Sequence, residues 1–272
     1  EVHVPFGGDA VRRVGHPLPQ ETRAAGREAD AVLVASTQEP ALEGVMADLD
    51  LTWRVTRVRL RPAADLAVVS PLTGADEEWA IERAFDLACS RRAKVTSVAS
   101  STAWPAAVER VAGRFDGVLV EHVPVESVLP VLHRDPARFD VLAAEQPFAE
   151  ALSRTAAFAH DGARMVASGR LSPRGPGVFG PTHGSAPDIA GQGVANPSGM
   201  LLAAALMLGE GLGQRAAART LEEALAGTLG NGVRTPDLVR SGAGATTREF
   251  TDVLIAALPG ARMDTELRSV LS

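Results

Sequence analysis

The sequence predicts an α/β fold, and three observations lead to this prediction. Short apolar runs rich in β-branched residues alternate with alanine-rich stretches of helical spacing, the order typical of α/β proteins. The apolar runs are nearly uninterrupted, as in strands of a sheet that helices cover on both faces. The chain has 272 residues, 46% of them hydrophobic and 22% charged, so it can bury a sizeable core without disulfide or zinc cross-links.

The individual elements follow from these patterns. Five apolar runs are predicted to be strands: Ala31–Ala35, Asp65–Ser70, Lys94–Val98, Gly117–Glu121 and Phe139–Ala143. Helical spacing predicts helices over Glu77–Arg92, Pro105–Arg114, 147–159, 197–208, Gln214–Leu229 and Thr247–Leu258. The pair Asn196 and Pro197 is typical of an N-cap followed by proline at the first helical position, which fixes the start of the fourth of these helices.

Residues 167–196 differ from the rest because glycine, proline and serine are frequent there and helical spacing is absent. We expect a long loop, and a loop of this length in a compact domain commonly carries function. Its glycines let the backbone approach a ligand closely, and the Asp188 carboxylate can accept hydrogen bonds from both hydroxyls of a ribose while repelling a 2′-phosphate. The alternative is an ordered surface loop in which Asp188 and Asn196 satisfy turns and helix caps.

Composition excludes several classes of function. The net charge of −6 argues against a broad nucleic-acid-binding surface, and the single cysteine, Cys89, excludes an intramolecular disulfide and any multi-cysteine metal site. No apolar run approaches the roughly 18 residues needed to cross a bilayer, so we expect no membrane association and a cytoplasmic location. The chain has no tyrosine and only one lysine, Lys94, which excludes mechanisms that require a tyrosine acid.

The segment HGSAPDIAGQGVANP at 183–197 closely resembles the adenosine-binding loop of the β-decarboxylating dehydrogenases, the 3-isopropylmalate and isocitrate dehydrogenase family. Further segments that match this family are PFGG at 5–8, PLPQET at 17–22, RRAKVTSV at 91–98, LVEH at 119–122, DPARFDVL at 135–142 and NGVRTPDL at 231–238. The resemblance therefore covers nearly the whole chain, and it is strongest to the isopropylmalate dehydrogenases.

This resemblance implies the two-domain α/β fold of the family. A discontinuous larger domain, which binds the nucleotide, would comprise residues 1–54 and 164–272. A central domain, residues 55–163, would form the dimer interface and the cleft. Family members are homodimers whose active sites include residues of the partner subunit, so we expect a homodimer that binds a small-molecule ligand.

The resemblance also assigns a nucleotide site. The family positions that contact adenosine are occupied here by His183, Gly184, Ser185, Ala186, Asp188 and Asn196. An aspartate at position 188 is the type expected for NAD and not for NADP. NAD is therefore the cofactor that the resemblance implies.

At the catalytic positions the sequence departs from the family. The family oxidises and decarboxylates a 2-hydroxy acid with a divalent metal ion that three aspartates hold. The match puts Glu150 and Arg154 at the two aspartate positions that lie four residues apart on one helix, and Glu126 at the third. Because an arginine brings positive charge to a cation site, we expect no divalent metal and an ion pair between Glu150 and Arg154 instead. Ser100 occupies the position of the catalytic lysine, and the catalytic tyrosine has no counterpart.

Ser100, Glu126 and Glu150 are therefore our candidates for a different chemistry in the cleft, with a solvated acidic rim as the alternative for the two glutamates. Substrate binding is assigned to Arg57, Arg59 and Arg61, which alternate in the region of the family's substrate-binding arginines, although the strict match to its NLRP element puts Thr56 there. Alternating arginines can line one face of a strand and bind an anion. Ordinary surface arginines would explain the pattern equally well.

Three functions remain open from the sequence. We favour a repurposed enzyme of specialised metabolism that has lost metal-dependent oxidative decarboxylation and either binds NAD or retains only the loop. The second is a non-catalytic accessory or regulatory subunit. The third is a metal-independent, NAD-dependent dehydrogenase of an unusual 2-hydroxy acid.

Overall fold

The computed structural model of the protein describes residues 1–36, 40–60, 64–72, 74–158, 165–239 and 242–259. The strands are β1 (Ala31–Leu33), β2 (Trp53–Leu60), β3 (Ala64–Pro71), β4 (Lys94–Ala99), β5 (Leu119–Pro124), β6 (Val141–Ala144), β7 (Val166–Leu171) and β8 (Gly177–Pro181). The α-helices are α1 (Gly7–Val14), α2 (Gln20–Glu28), α3 (Leu42–Asp48), α4 (Glu77–Cys89), α5 (Ala103–Ala112), α6 (Val125–Arg134), α7 (Ala149–Phe158), α8 (Ser198–Leu206), α9 (Arg215–Gly230) and α10 (Thr247–Ala257).

The strands form one mixed sheet in the order β1-β8-β7-β2-β3-β6-β4-β5. Strand β2 lies inside the sheet, where it pairs antiparallel with β3 on one side and with β7 on the other. The strands β3, β6, β4 and β5 are parallel to one another, as expected where helices connect successive strands. This arrangement confirms the predicted α/β fold.

Helices cover both faces of the sheet. Helix α7 packs on β2 and β3, α4 packs on β3 and β6, and α8 packs on β7 and β8. One large apolar core runs through these layers, and its fully buried side chains include Phe85, Trp104, Phe139 and Phe179. None of the helices in the described ranges is long and apolar enough to span a bilayer.

The ring of Phe179 fixes the spacing between β7, β8 and the turn after α8. A Cβ atom at Gly169, Gly177 or Gly211 would lie 2.7 Å from this ring, closer than side-chain carbons normally approach. The three glycines are therefore required by close packing around one aromatic side chain and not by backbone freedom. Since Phe179 is fully buried, this contact holds the β7–β8 hairpin against the helical layer.

Most of the predicted elements are confirmed, with bounds that differ by a few residues. The five predicted strands correspond to β1, β3, β4, β5 and β6, although the fourth begins at Leu119 instead of Gly117. The predicted helices correspond to α4, α5, α7, α8, α9 and α10. Residue 159, at the predicted end of α7, lies outside the described residues.

The prediction of a continuous loop over 167–196 is wrong for its first half, which forms β7 and β8. The glycines that suggested a loop are instead small residues packed around Phe179. Strand β2 was not among the predicted apolar runs because arginine and threonine interrupt its hydrophobic pattern; the alternation of Arg57 and Arg59 was its only signal.

The sheet passes through both of the predicted domains. Strands β1, β7 and β8 come from residues 1–54 and 164–272, whereas β3 to β6 come from residues 55–163. Strand β2 joins the two groups. The division into two domains stays a prediction.

Candidate functional site

The predicted nucleotide loop follows directly after β8, and main-chain contacts hold it in place. The Thr247 N–H donates to the Gly193 carbonyl oxygen at 2.8 Å, and the Ser36 hydroxyl donates to the His183 carbonyl oxygen at 2.9 Å. The Asn196 side-chain oxygen accepts from the Ser198 N–H at 2.9 Å, so Asn196 caps the start of α8. The loop is thus an ordered connection between β8, α8 and α10.

The polar side chains of this loop are arranged for access from solvent. Asp188 is exposed, and its carboxylate makes no hydrogen bond or ion pair within the described residues. The Nδ1 atom of His183 lies 3.0 Å from the Gly184 carbonyl oxygen. Ala186 has a positive φ of 43°, which turns the backbone two residues before Asp188. The predicted contact residues at 183–188, including Gly184 and Ser185, thus lie in one turn after β8, whereas Asn196 lies at the start of α8 and donates to Asp237 Oδ2 at 3.1 Å.

At the predicted metal positions on α7, two side chains bind each other. The Arg154 Nη2 atom lies 2.6 Å from Glu150 Oε1, and the two side chains are 58% and 59% exposed. This confirms the expected ion pair with i,i+4 spacing. Within the described residues, no three His, Cys, Asp or Glu side chains are grouped in a way that could hold a metal ion.

Ser100 lies in a separate cluster at the end of β4. The Ser100 N–H donates to Glu145 Oε2 at 3.0 Å, and the hydroxyls of Ser100 and Ser101 also contact this carboxylate. Glu126 is exposed in the first turn of α6, and its carboxylate contacts neither this cluster nor Glu150 within the described part of the chain. The three catalytic candidates are therefore not brought together within one subunit.

The odd-numbered arginines of β2 are buried and paired with acids. Arg59 pairs with Glu222 of α9, and Arg57 Nη2 lies 3.4 Å from Asp65 Oδ1. The interpretation of these residues as ordinary surface arginines is wrong, since Arg59 is only 8% exposed. Their assignment to substrate binding stays a prediction, and Arg61 lies outside the described residues.

Asp65 carries the strongest electrostatic signature of this network. Burial alone would raise the pKa of its carboxyl group, but the guanidinium groups of Arg91, Arg57 and Arg59 outweigh burial and lower the pKa from 3.8 to about 2. Arg91 contributes most, with its Nη2 atom 3.1 Å from Asp65 Oδ1. The network lines an open cavity of about 680 Å³ between α4 and α9.

On the opposite face of β2 lies a smaller pocket of about 170 Å³ that α7 covers. Its floor is polar: Arg54 of β2 stands opposite Arg170 of β7, and Thr56 stands opposite Ser168. Burial lowers the pKa of Arg54, and Glu150 opposes this effect. Burial, together with repulsion from Arg54, lowers the pKa of Arg170 to about 10. We call these residues of β2 and β7, with the α7 residues above them, the cationic pocket.

The substrate-binding residues predicted from the sequence included neither Arg54 nor Arg170. Arg170 follows small residues in a segment predicted to be a loop, so its place on an inner strand had no visible signal. The signal that was available is the alternation of Val166, Ser168 and Arg170, which puts these three side chains on one face of a strand.

A family model described as isocitrate/isopropylmalate dehydrogenase matches residues 63–254. The chain belongs to this family. It is 34% identical to the 3-isopropylmalate dehydrogenase of Streptococcus thermophilus CNRZ 1066 in an alignment that covers 93% of this chain and 88% of that protein. It is 35% identical to the 3-isopropylmalate dehydrogenase of Synechococcus sp. CC9605, with 88% and 84% covered.

Solved structures agree with this family. The β-decarboxylating dehydrogenase of Thermococcus kodakarensis superposes with a TM-score of 0.76 at 26% identity, and the match covers 93% of this chain and 85% of that one. A protein of Thermus thermophilus gives a TM-score of 0.78 at 26% identity, with 95% of this chain covered, and this chain spans 63% of its length. The isocitrate dehydrogenase of Methylococcus capsulatus, at 24% identity and a TM-score of 0.75, supports the fold alone.

The residues present fit the two groups associated with this family to different degrees. An NAD adenosine half fits the exposed loop, because the Asp188 carboxylate is free to accept hydrogen bonds from ribose hydroxyls. A divalent metal does not fit α7, because divalent cations take carboxylate and carbonyl oxygen ligands and Arg154 supplies a cation instead.

Proposed function

We propose that this family member binds NAD through residues 183–197 but does not carry out metal-dependent oxidative decarboxylation. The protein is a repurposed enzyme of specialised metabolism, and its cleft binds and converts a small molecule. The observation that carries the proposal is the ion pair between Glu150 and Arg154 at the two α7 positions that the family match assigns to metal ligands. A guanidinium group at this position repels the cation and occupies the remaining carboxylate.

The loss of the family chemistry extends beyond the metal site. Ser100 stands where the family match puts the catalytic lysine, and the chain contains no tyrosine. A general acid or base typically contributes about 10²–10⁴-fold to a rate, so losing these groups together removes the family mechanism. Ser100, Glu126 and Glu150 are our candidates for the replacement chemistry.

The residues that match the family's adenosine-binding positions are present in this chain. In the proposed complex, Asp188 accepts hydrogen bonds from the ribose, and residues 183–186 contact the adenine side. Bound NAD would supply a hydride acceptor. The chain's own contribution is to hold the adenosine on an ordered turn tied to α8 and α10.

We further propose that the protein is a cytoplasmic homodimer. Its larger domain would comprise residues 1–54 and 164–272, and its central domain would comprise residues 55–163. Because Glu126 contacts neither of the other two catalytic candidates within one subunit, a dimer in which it faces the partner's cleft would give it a role.

Nucleotide binding is tested by calorimetric titration of NAD into the wild-type protein and the variant Asp188→Ala. We expect the variant to bind NAD at least about tenfold more weakly, because the ribose loses its acceptor. Asp252→Ala removes an exposed carboxylate on α10 and is the matched control, which should bind like the wild type. Equal binding by Asp188→Ala and wild type would refute the assignment of this loop.

The loss of metal chemistry is tested separately by following NADH formation from 3-isopropylmalate with Mn²⁺. We expect none from the wild type, and the double variant Glu150→Asp with Arg154→Asp should gain Mn²⁺ binding. Glu150→Asp with Arg219→Asp makes the same charge change away from α7 and should gain none. Turnover by the wild type that a chelator abolishes would contradict the proposal.

A further inference from the structure

Three neighbouring strands carry a row of buried polar groups without partners. Ser70 of β3 and Arg170 of β7 both stand opposite Arg54 of β2, so the three residues form one row across the middle of the sheet. The Ser70 hydroxyl oxygen, Arg54 Nε and Arg170 Nη1 are each inaccessible to solvent and make no hydrogen bond within the described residues. Buried polar groups without partners are uncommon, and each of them needs a physical explanation.

The charges in this row are unfavourable in the absence of a ligand. Arg54 and Arg170 are direct cross-strand neighbours, and like charges in that arrangement destabilise a sheet. Both are largely removed from water, so their repulsion is weakly screened. Among the described residues, Glu150 is the acid that acts on both arginines, and it is already paired with Arg154 at 2.6 Å. Three arginines and one glutamate leave the cationic pocket with a net charge of +2 among its lining residues.

The rest of the lining consists of hydroxyl-bearing residues and of the apolar residues Ala157, Phe158 and Val166. The Thr56 hydroxyl donates to the Ser168 hydroxyl oxygen at 3.5 Å, which leaves the Ser168 proton available to another acceptor. Ser153 of α7 and Thr182, just after β8, also line the pocket. The Ser153 hydroxyl already donates to the Ala149 carbonyl oxygen at 2.8 Å, and the Thr182 hydroxyl donates to the Val166 carbonyl oxygen. The donors that line the space are therefore the Ser168 hydroxyl and the guanidinium groups of two strands and α7, an arrangement that suits an anion with several acceptor oxygens.

We propose that the cationic pocket binds a phosphate-type dianion, either free phosphate or the phosphoryl group of a small ester, between Arg54 and Arg170. The dianion neutralises the two excess positive charges and accepts hydrogen bonds from the guanidinium groups of Arg54 and Arg170, which line the pocket. A pocket of about 170 Å³ has room for this group and for little more than a short organic substituent. A phosphate-type group would then be what the repurposed cleft recognises. Only the statement that this anion is part of the substrate rests on the proposed function.

The test is calorimetric titration of inorganic phosphate, glycerol 3-phosphate and malonate, at constant ionic strength and without nucleotide or metal. We expect the two phosphates to bind at least about tenfold more tightly than malonate, whose planar carboxylates cannot engage donors on all sides. Tighter binding of glycerol 3-phosphate identifies a phosphoryl ester as the ligand, and tighter binding of inorganic phosphate identifies the free ion. Binding of malonate equal to or tighter than that of both phosphates would overturn the proposal.

The site is located by the variants Arg170→Met and Arg54→Met, which should each weaken phosphate binding at least about tenfold. The control is Arg174→Met, which removes an exposed arginine from the turn between β7 and β8 and should leave binding unchanged. Thermal unfolding without phosphate should show Arg170→Met at least as stable as the wild type, so lost binding cannot be ascribed to unfolding. Equal phosphate affinity in Arg170→Met and Arg174→Met would refute the site.

These outcomes are independent of nucleotide binding. Arg170→Met should keep the wild-type affinity for NAD, and Asp188→Ala should keep the wild-type affinity for phosphate. If the wild-type protein binds phosphate but not NAD, the proposed function alone is refuted. If it binds NAD but not phosphate, the cationic pocket alone is refuted.

Discussion

The two faces of β2 present arginines in opposite surroundings. On one face, Arg57 and Arg59 are matched by Asp65 and Glu222, so each buried cation has an acid within reach. On the other face, Arg54 meets a second arginine across the strand pair, and the acid that acts on it, Glu150, is paired with Arg154. In the first arrangement the charges of the arginines are neutralised within the protein, whereas in the second the proposed anion would neutralise them. On β2, pairing with acids separates the two sets of arginines, whereas burial and spacing do not.

The largest expected effect on stability comes from removing an arginine on the face of β2 where arginines pair with acids. Replacing Arg59 with methionine leaves the largely buried Glu222 carboxylate with a longer contact, to Arg57 Nη2 at 3.8 Å, whereas Asp65 keeps Arg91. Removing one member of a buried pair typically costs about 3–5 kcal/mol. We expect the free energy of unfolding, measured with urea, to fall by about 3 kcal/mol. Arg219→Met, at an exposed position on the rim of the same cavity, is the control. A loss no larger than that of the control would show that the pairing contributes little.

The second prediction concerns acid unfolding. The pKa of Asp65 is lowered in the fold from 3.8 to about 2, so its contribution to stability is fully present above pH 3.8 and is lost as the pH falls through 2. The shift corresponds to at most about 2–3 kcal/mol. Urea unfolding of the wild type and of Asp65→Asn across this range should give curves that converge towards low pH. A constant difference between the curves would contradict the assignment.

The third prediction is a gain in stability, and it concerns the face of the sheet that carries Arg54 and Arg170. Arg170→Met removes a buried charge and its repulsion with Arg54 while keeping side-chain volume, so in phosphate-free buffer we expect the free energy of unfolding to rise by about 0.5–1 kcal/mol. Differential scanning calorimetry of this variant beside Arg174→Met measures the effect. Destabilisation of Arg170→Met would mean that Arg170 supports the fold as Arg59 does, and the contrast between the two faces would fail.

The smallest expected effect is at the exposed ion pair of α7. Glu150→Gln removes the partner of Arg154, and an exposed pair with i,i+4 spacing is worth about 0.2–0.5 kcal/mol. We expect the free energy of unfolding to change by no more than this amount. The net charge of the cationic pocket becomes more positive by one unit. Phosphate titration should then show binding at least as tight as in the wild type. Weaker phosphate binding would indicate that Glu150 orients the arginines and does not merely offset their charge.

Sequence patterns predicted the elements whose periodicity is hydrophobic. The strand around Val95 and the helix around Phe85 could be identified because apolar side chains mark their buried faces. The ion pair of Glu150 and Arg154 was also predictable, since helical spacing alone brings positions four apart together.

The cationic pocket was not predictable by the same means. Arg54 and Arg170 are 116 positions apart, and only strand pairing across β2 and β7 makes them neighbours. Such a contact depends on register between distant segments, which local patterns do not contain. The glycines of β7 and β8 are typical of a loop in the sequence, and their packing role becomes visible only beside Phe179.

The contact between Phe179 and its three glycines has a consequence for how two ligands would be held. Strand β7 carries Arg170, and β8 ends at Pro181, two residues before His183. An anion bound as proposed would therefore rest on β7, and an adenosine would rest on the loop that leaves β8, the partner strand in the same hairpin. The packing around one aromatic ring then sets how far apart the two ligands lie, and a single molecule that bridges both must match that distance.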